Sequence, residues 1–396
     1  SDSQFFKMAE RCRAELAVLM REDGNNECAD CGEADPDWAS VTFGVFLCQS
    51  CAGIHRGLGT QSRVKSVRLD NWDRDQVQVM VAMGNKKAKE KFEMHVPLFY
   101  RKPRKVDVEV LKKEWILAKY EREEFTDPDR QTAYNCSSKE GMLWKLGRDR
   151  KQFQLRKFAL SRAENKFSYF INEDSKQKPQ QPKAEADLDH MNAVFVPEKI
   201  GNPYGLQITF IKNGSTRSLF VYSESSKDIV DWYNCIRAAK WERRRIAFPD
   251  RDLHQLAEDL TKDFILEGWL SKMGPKNEPF KRRWFTLDRR KLMYFEEPLN
   301  AFPKGEVFIG HRDAGYSVSL GSPEGDRSSN SHNNYCFTLH THERNFILRA
   351  ETQDDMDKWN TALNQVIDLP LTPQDSKLAS MLVPKKASNS FRIIRR

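Results

Sequence analysis

The sequence lacks the features that would place it within a membrane or mark it as a nucleotide-binding enzyme. Its 396 residues contain no apolar run long enough to span a bilayer, and no stretch near the start has the apolar centre of a signal peptide. No G-x-x-x-x-G-K-S/T loop occurs, so a nucleotide should not bind through a Walker motif. We expect a soluble, cytoplasmic protein that contacts membranes only peripherally, with a visit to the nucleus as an alternative.

The chain also shows no sign of a disulfide framework. It has eight cysteines, of which Cys12, Cys136, Cys235 and Cys336 are scattered without a pairing pattern. This usage is typical of a reducing compartment. The net charge of +8 favours an anionic partner, such as nucleic acid or acidic lipid, but does not choose between the two.

The remaining four cysteines form the most informative motif. Cys28, Cys31, Cys48 and Cys51 follow the spacing C-x2-C-x16-C-x2-C, and Arg56 comes five residues after the last of them. Two such pairs suit one tetrahedral Zn²⁺ held by four thiolates. A site with four protein ligands has no open position for a substrate, so this zinc should be structural.

The second half of the chain contains an internal repeat. The pattern E-G-x-L-x-K-x-G occurs at 140–147 and again at 267–274, and related segments recur at 166–170 and 291–295 and at 228–232 and 355–359. The offsets between copies are 127, 125 and 127 residues. They predict two copies of one domain of about 100–110 residues.

Each copy reads as short antiparallel strands followed by one amphipathic helix. Predicted strands cover 153–160, 207–211 and 217–222 in the first copy and 284–287, 335–339 and 345–350 in the second. The helices are predicted at 226–239 and 353–367, with Ser225 and Thr352 as N-caps. Each copy should be a small barrel with its helix plugging one open end.

The segment before the repeat should form a mostly helical module around the zinc. Helices are predicted at 6–20, 75–83, 85–95 and 106–120, and strands at 41–47 and 64–68. The expected domains are 6–126, 138–241 and 263–368, with linkers near 123–138 and 247–262. A disordered tail is expected from residue 369 to residue 396.

These motifs resemble a known family. The stretch from Asp35 to Ser40, the segment Gly44–Arg56 and the segment Val67–Trp72 closely resemble the Arf GTPase-activating-protein (ArfGAP) zinc domain. The repeat resembles the pleckstrin-homology (PH) domain, and the order of the three units is similar to the centaurin-alpha group, the ArfGAPs with dual PH domains. The implied fold class is multidomain α+β, with a zinc-finger module and two helix-capped β-barrels.

The resemblance implies that the chain activates GTP hydrolysis by a GTP-bound Arf-family small GTPase. Arg56 would be an arginine finger supplied in trans, since a planar, permanently charged guanidinium can neutralise charge on a transferring phosphoryl group. Trp38 would support Arg56, by packing beside it or by touching the GTPase. Asp70 would orient the arginine or its loop, or simply begin a helix. His55 should not be a zinc ligand, because four thiolates fill the site.

The PH resemblance implies binding of polyphosphoinositides, or of soluble inositol polyphosphates such as the tetrakisphosphate, and recruitment to the plasma membrane. The second copy supplies the fuller basic set, and the first copy has Gln154 where a cation is usual. The residues expected to bind the headgroups are Lys272, Lys281, Arg283, Tyr294 and Lys304, together with Lys145, Arg156 and Lys157.

Two other classes of function stay open. A basic chain with two CxxC pairs also fits a nucleic-acid-binding zinc finger, but the segment 52–60 after the last cysteine has three glycines and is not a basic recognition helix. We therefore expect no nucleic-acid partner. A lipid-directed scaffold without catalytic activity is the main alternative. The protein is expected to be a monomer.

Overall fold

A computed structural model describes residues 2–148, 152–171, 181–275, 278–321 and 335–382. Three units follow one another along the chain, and we call them the N-terminal module, the first barrel and the second barrel.

The N-terminal module is mostly helical, as predicted. A three-stranded antiparallel sheet in the order β2-β1-β3 lies among its helices. The expected strand at 41–47 is wrong for its first four residues, which form a turn in which Gly44 adopts φ +68°. The helices are α1 (Asp2–Leu19), α2 (Gln49–Arg56), α3 (Arg74–Ala82), α4 (Gly84–Phe92) and α5 (Glu109–Ile116, continued by a π-helical turn Leu117–Glu121), and the strands are β1 (Trp38–Ser40), β2 (Val45–Leu47) and β3 (Val64–Ser66).

The first barrel is a seven-stranded antiparallel sheet in the order β7-β6-β5-β4-β10-β9-β8, followed by a long helix. Its elements are β4 (Ser138–Leu146), β5 (Phe153–Ser161), β6 (Lys166–Phe170), β7 (Ala184–Asp187), β8 (Asn192–Phe195), the short helix α6 (Pro197–Ile200), β9 (Gly205–Lys212), β10 (Ser215–Tyr222) and α7 (Ser226–Ala247).

The second barrel repeats this topology as β14-β13-β12-β11-β17-β16-β15. The helix α8 (Leu253–Glu258) precedes it. Its elements are β11 (Leu266–Lys272), β12 (Lys281–Leu287), β13 (Lys291–Phe295), β14 (Gly305–Phe308), β15 (Ser317–Leu320), β16 (Cys336–His340), β17 (Asn345–Arg349), α9 (Gln353–Asp368) and α10 (Pro373–Met381).

In each barrel, a tryptophan of the C-terminal helix is buried against a glycine of the first strand. Trp232 of α7 and Trp359 of α9 are almost fully buried, and their rings lie beside Gly141 and Gly268 on the first strand of each barrel. An added Cβ at Gly141 would lie 3.3 Å from the Trp232 ring, so a glycine lets the helix approach the sheet closely. This contact explains why Gly and Trp recur at one offset.

Both predicted caps are confirmed. The Ser225 side chain accepts a hydrogen bond from the N–H of Asp228, and Thr352 accepts one from Asp355, which satisfies backbone donors that a helix start leaves free. The first of these helices runs to Ala247 rather than to residue 239. The basic stretch 240–245 therefore belongs to the helix.

The structure corrects two expectations about segments outside the domains. The linker 247–262 contains α8 and buries Leu256 and Leu260 completely, so it is packed rather than loose. The expected disordered tail is wrong for residues 373–381, which form α10. There Asp375 pairs with the fully buried Arg290 at 3.2 Å. The rest of the tail, from residue 383, lies outside the described residues.

The three units touch one another through specific contacts. One hydrophobic core runs from the cysteines of the N-terminal module through the first barrel to Leu260. The barrels meet where Glu306 accepts hydrogen bonds from the backbone N–H and the hydroxyl of Thr216, at 2.6 and 2.7 Å, and where the N–H of Ser218 donates to the carbonyl of Ala301.

Candidate metal centre, arginine and basic clusters

The four cysteines meet as the spacing predicts. Cys28, Cys31, Cys48 and Cys51 are all buried, and their sulfurs lie within 4.8 Å of one another. The sulfurs of Cys31 and Cys48 are 3.6 Å apart, and tetrahedral zinc with Zn–S bonds of about 2.3 Å needs sulfurs about 3.8 Å apart. The donor set and its packing therefore fit a closed, structural zinc site.

Backbone geometry prepares this cluster. Cys48 is the N-cap of α2, and its sulfur accepts a hydrogen bond from the N–H of Cys51 at 3.4 Å. The first pair of cysteines sits on a turn closed by Gly32 at φ +72°, a conformation that favours glycine. A helix start and a tight turn thus bring the two pairs together.

His55 links the metal site to the strand that carries Trp38. The His55 ring is fully buried, with Nε2 2.9 Å from Asp30 and Nδ1 2.8 Å from the hydroxyl of Ser62. The hydroxyl of Ser62 lies 2.8 Å from that of Ser40 on β1. Both ring nitrogens are therefore engaged away from the cysteines, in a buried chain that joins α2 to the sheet.

Asp30 holds this chain from its position between the first two cysteines. Burial acts to raise the pKa of Asp30, but Lys119 and His55 lower it more, so the pKa lies below its ordinary value. Lys119 is 3.2 Å from the Asp30 carboxylate, and the hydroxyl of Tyr120 donates to it at 3.0 Å. An ionised carboxylate thus anchors the turn after α5 to the metal loop.

Arg56, the last residue of α2, follows directly after the buried His55 and is exposed. Its guanidinium lies 4.2 Å from the centroid of the Trp38 ring. A cation over an indole face is attracted to it, so the half-buried Trp38 supports the arginine in an accessible position. Trp38 thus packs beside Arg56, and its contact with the GTPase stays a prediction.

Asp70 stabilises the loop that follows β3. Its carboxylate accepts a hydrogen bond from the N–H of Ser66 at 2.6 Å, and it thereby closes the loop after β3. The expectation that Asp70 begins a helix is wrong, because the N-cap of α3 is Asp73.

The first barrel gathers a basic cluster around a tyrosine. The Lys145 ammonium lies 5.0 Å from the centroid of the Tyr169 ring, and Arg217 donates to the Tyr169 hydroxyl at 2.9 Å. Burial, followed by the charges of Arg217 and Arg156, lowers the pKa of Lys145 to about 8. Gln154 accepts a hydrogen bond from Arg156, so the unexpected glutamine positions the arginine.

The second barrel forms an equivalent cluster. The Lys272 ammonium lies 5.4 Å from the centroid of the Tyr294 ring. Burial, then Arg344 and Arg283, lower the pKa of Lys272. At each site, burial and then two nearby arginines lower the lysine pKa, so three cationic side chains lie close together.

Sequence reasoning missed Arg217, Arg344 and Tyr169. The repeat contains the signal that would have found them: Lys145, Arg156 and Arg217 lie 127 residues before Lys272, Arg283 and Arg344, and Tyr169 lies 125 residues before Tyr294. The two clusters are thus the same four positions of one repeated domain.

Three of the predicted lipid-binding residues lie elsewhere or carry their own partners. Lys157 follows Arg156 on β5 and pairs with Glu140 at 2.8 Å; neighbouring strand residues point to opposite faces, so Lys157 does not join the cluster. Lys304 is exposed and lies 3.1 Å from Glu296. Lys281 stands opposite Lys272 on the paired strands, with Glu278 3.9 Å away.

None of the helices in the described part of the chain has the length and apolar character needed to traverse a bilayer.

Comparison with known proteins agrees with this architecture. The ArfGap family model, whose description is GTPase activating protein for Arf, matches residues 13–129, and the PH domain model matches residues 137–240 and 264–368. The human Arf-GAP with dual PH domain-containing protein 2 is 45% identical over 376 residues, which cover 94% of this chain and 97% of that protein.

Solved structures of single domains are also similar. The ArfGap domain of human RIP is 26% identical with a TM-score of 0.27, covering 30% of this chain and 90% of that structure. The C-terminal PH domain of human pleckstrin is 22% identical with a TM-score of 0.22, covering 26% of this chain and 86% of that structure.

A four-cysteine module followed by two helix-capped barrels defines the class of Arf GTPase-activating proteins that carry PH domains. More narrowly, the extent of the identity shows that the chain belongs to the Arf-GAPs with dual PH domains.

Proposed function

We propose that Arg56 acts as an arginine finger in trans on the GTP bound to an Arf-family GTPase, and that the two basic clusters recruit the protein to polyphosphoinositide membranes. The observation that carries the catalytic part is the exposed guanidinium of Arg56, held over Trp38 at the end of a helix fixed to the cysteine cluster. A finger of this kind is worth about 10³–10⁵ in rate.

The structure gives physical support for a positioning role of the zinc. Cys48 and Cys51 lie at the start of the eight-residue α2, and Arg56 ends it. Zinc bound to the cysteines would fix the helix axis, and the buried His55 would fix its rotation. Pre-ordering the arginine in this way reduces the entropy lost when it reaches the phosphate. Trp38 restricts the side chain further, at a contribution of about 0.5–1 kcal/mol for an exposed cation–π contact.

The basic clusters support recruitment to the membrane. Each cluster presents a lysine and two arginines close together, and the arginines add to burial in lowering the lysine pKa. Phosphates on an inositol ring bind well to such groups, because arginine can donate two hydrogen bonds to one phosphate. Two headgroup sites in one chain bind a surface more tightly than either alone.

The direct test is single-turnover GTP hydrolysis by a myristoylated Arf-class GTPase on vesicles, with and without a 3-phosphorylated inositide. We expect hydrolysis that the inositide enhances and that Arg56→Lys reduces by about a thousandfold. Trp38→Leu should reduce the rate only about two- to fivefold, in proportion to the cation–π contact. Arg13→Lys, an exposed arginine on α1, is the matched control and should match the wild type.

Two results would reject parts of the proposal. Wild-type rates in the Arg56→Lys variant would show that this arginine is not the finger. Vesicle binding without any stimulated hydrolysis by the wild type would favour the scaffold function. In that case the N-terminal module would serve to bind another protein rather than to complete a GTPase active site.

A further inference from the structure

A cavity of about 490 Å³ lies between the barrels, apart from both basic clusters. The end of α7, strand β9 of the first barrel, the turn 288–291 of the second barrel and helix α10 surround it. Its volume lies within the range of small-molecule sites. None of the residues of the two headgroup clusters lines it.

Cations outnumber carboxylates on its wall, and the carboxylates have partners. Asp189 pairs with Arg243, Asp259 with Arg251 and Arg289, and Asp375 with Arg290, while Asp288 accepts hydrogen bonds from backbone N–H groups. The cationic side chains on the wall are Lys240, Arg243, Arg244, Lys262, Arg289, Lys291 and Lys377. The excess charge of this cavity is therefore positive.

Several of these cations form no ion pair. In the described part of the chain, the charged groups of Arg244, Lys262 and Lys377 engage in neither an ion pair nor a hydrogen bond. Lys240 is 4% exposed, and its side-chain nitrogen donates to the carbonyl of Met191 rather than to a carboxylate. Burial, then the charges of Arg244 and Lys262, lower the pKa of Lys240 well below its ordinary value. A bound anion would remove this repulsion.

Two further donors on the wall need an acceptor. Nε of Arg289 and the side-chain nitrogen of Gln374 are buried, and neither has a hydrogen-bond partner in the described part of the chain. Buried donors are nearly always satisfied, so an unsatisfied one calls for a missing acceptor. Phosphate oxygens meet this need and also the need for negative charge.

Part of the wall is apolar. Phe210 and Ile211 of β9, Phe264, Met293 of β13 and Leu378 of α10 all face the cavity. A purely polar anion would leave this surface in contact with water. A ligand with an anionic head and an apolar body would cover both kinds of wall.

We propose that this inter-barrel cavity is a third ligand site, one that binds a phosphate monoester with an apolar body, such as a single-chain lysophosphatidate. A doubly charged phosphate suits several unpaired cations better than a carboxylate does. The site is independent of the arginine finger and of the two headgroup clusters, so it can be tested in the absence of any GTPase.

The experiment is calorimetric titration of the full chain with a short-chain lysophosphatidate kept below its micelle concentration. Saturating inositol tetrakisphosphate is present throughout to occupy the headgroup clusters. We expect one molecule bound per chain and a loss of at least tenfold in affinity in Arg244→Ala. Arg245→Ala is the matched control, because this neighbouring arginine is exposed and does not line the cavity, and it should bind like the wild type.

A second variant and a second readout keep the test decisive. If Arg244→Ala unfolds, Lys377→Ala on the surface of α10 replaces it, with a several-fold loss expected. Methyl NMR signals of Met293 and Met381, which line the cavity, should shift on titration, whereas that of Met8 on α1 should not. Equal binding by all variants, binding that inositol tetrakisphosphate abolishes, or competition by inorganic phosphate as strong as by the lysophosphatidate would overturn the proposal.

Discussion

Arg237 of α7 donates a hydrogen bond from Nε to the carbonyl oxygen of Phe99, 2.7 Å away. Phe99 belongs to the N-terminal module and Arg237 to the first barrel, so this contact crosses between domains. The same guanidinium donates to the carbonyl of Ala257 at 3.0 Å and to the hydroxyl of Thr261. One buried arginine thus ties the N-terminal module and the segment before the second barrel to the first barrel.

We predict that Arg237→Ala destabilises the N-terminal module and the first barrel together. The substitution leaves three buried acceptors without their donor and opens a cavity, which should lower the free energy of unfolding by about 3–5 kcal/mol. Differential scanning calorimetry, combined with a dye that reports zinc release, should show metal loss and barrel unfolding in one transition at a lower temperature.

Arg243→Ala provides the control for this prediction. Arg243 lies on the same helix and pairs with Asp189 at the surface, with 44% of its side chain exposed, so its loss should cost at most about 1 kcal/mol. Separate transitions for zinc release and for the first barrel in Arg237→Ala would show that the two domains do not unfold as a unit.

The second prediction concerns the metal. Cys31→Ala should unfold the N-terminal module, because structural zinc contributes on the order of 10 kcal/mol to small domains of this kind. Elemental analysis should find one zinc per chain in the wild type and none in the variant. Cys12→Ala is the control: Cys12 is buried in a neighbouring core cluster away from the other cysteines, so its variant should keep the zinc. A Cys31→Ala protein that keeps one zinc and a native melting profile would refute the structural role.

Sequence patterns predicted the parts of this protein that depend on local spacing. The four cysteines come in two closely spaced pairs, so their spacing alone predicts the metal site. The two helices and their caps at Ser225 and Thr352 also depend on local patterns, so the sequence predicts them as well. The helix α10 was missed although its start carries a local pattern, a capping box between Thr372 and Asp375 with proline in the first turn. Its contact with the second barrel depends on the pairing of Asp375 with Arg290, 85 residues away in the chain. A short polar segment gives no sign of such a distant partner.

The basic clusters, too, could be predicted only in part, because some of their residues come together only in the fold. Lys145 and Arg156 lie on adjacent strands, and a motif with known spacing finds them. Arg217 comes from β10, which pairs with the other edge of β4, so only the folded sheet brings it to Tyr169. Lys157 lies outside the cluster for a simpler reason, since side chains alternate along a strand and Lys157 points to the face opposite Arg156.

The third prediction ranks the two headgroup sites. Arg283→Cys should weaken binding to polyphosphoinositide vesicles more than Arg156→Cys does, because the second copy has the fuller basic set, with Lys281 where the first copy has Gln154. Arg217→Ala and Arg344→Ala should each weaken the site they belong to by about tenfold, the value of one lost charge-assisted hydrogen bond. Vesicle sedimentation would measure all four variants. Arg349→Ala, whose guanidinium stacks on Phe280, serves as a control; equal or reversed losses for Arg283 and Arg156 would contradict the ranking.

The fourth prediction is a pH dependence of the first headgroup site. The pKa of Lys145 is lowered to about 8, first by burial and then by Arg217 and Arg156. Lys145 is therefore charged at pH 7 and mostly neutral at pH 9, and a neutral amine cannot make a charge-assisted hydrogen bond to phosphate. In an Arg283→Cys background, which weakens the second site, affinity for inositol tetrakisphosphate should fall roughly tenfold between pH 7 and pH 9.

The sign for stability is opposite to the sign for binding. Because the pKa of Lys145 is lower in the folded chain than its ordinary value of 10.5, folding disfavours the charged form. This cost is constant below pH 8, falls as the pH rises from 8 to 10.5 and is absent above that range. The variant Lys145→Arg distinguishes the titration of Lys145 from the titration of the ligand's phosphates, since arginine stays charged at pH 9. Calorimetric titrations of this variant should show a clearly smaller loss of affinity over the same range. An unchanged pH profile in Lys145→Arg would show that another group controls the dependence.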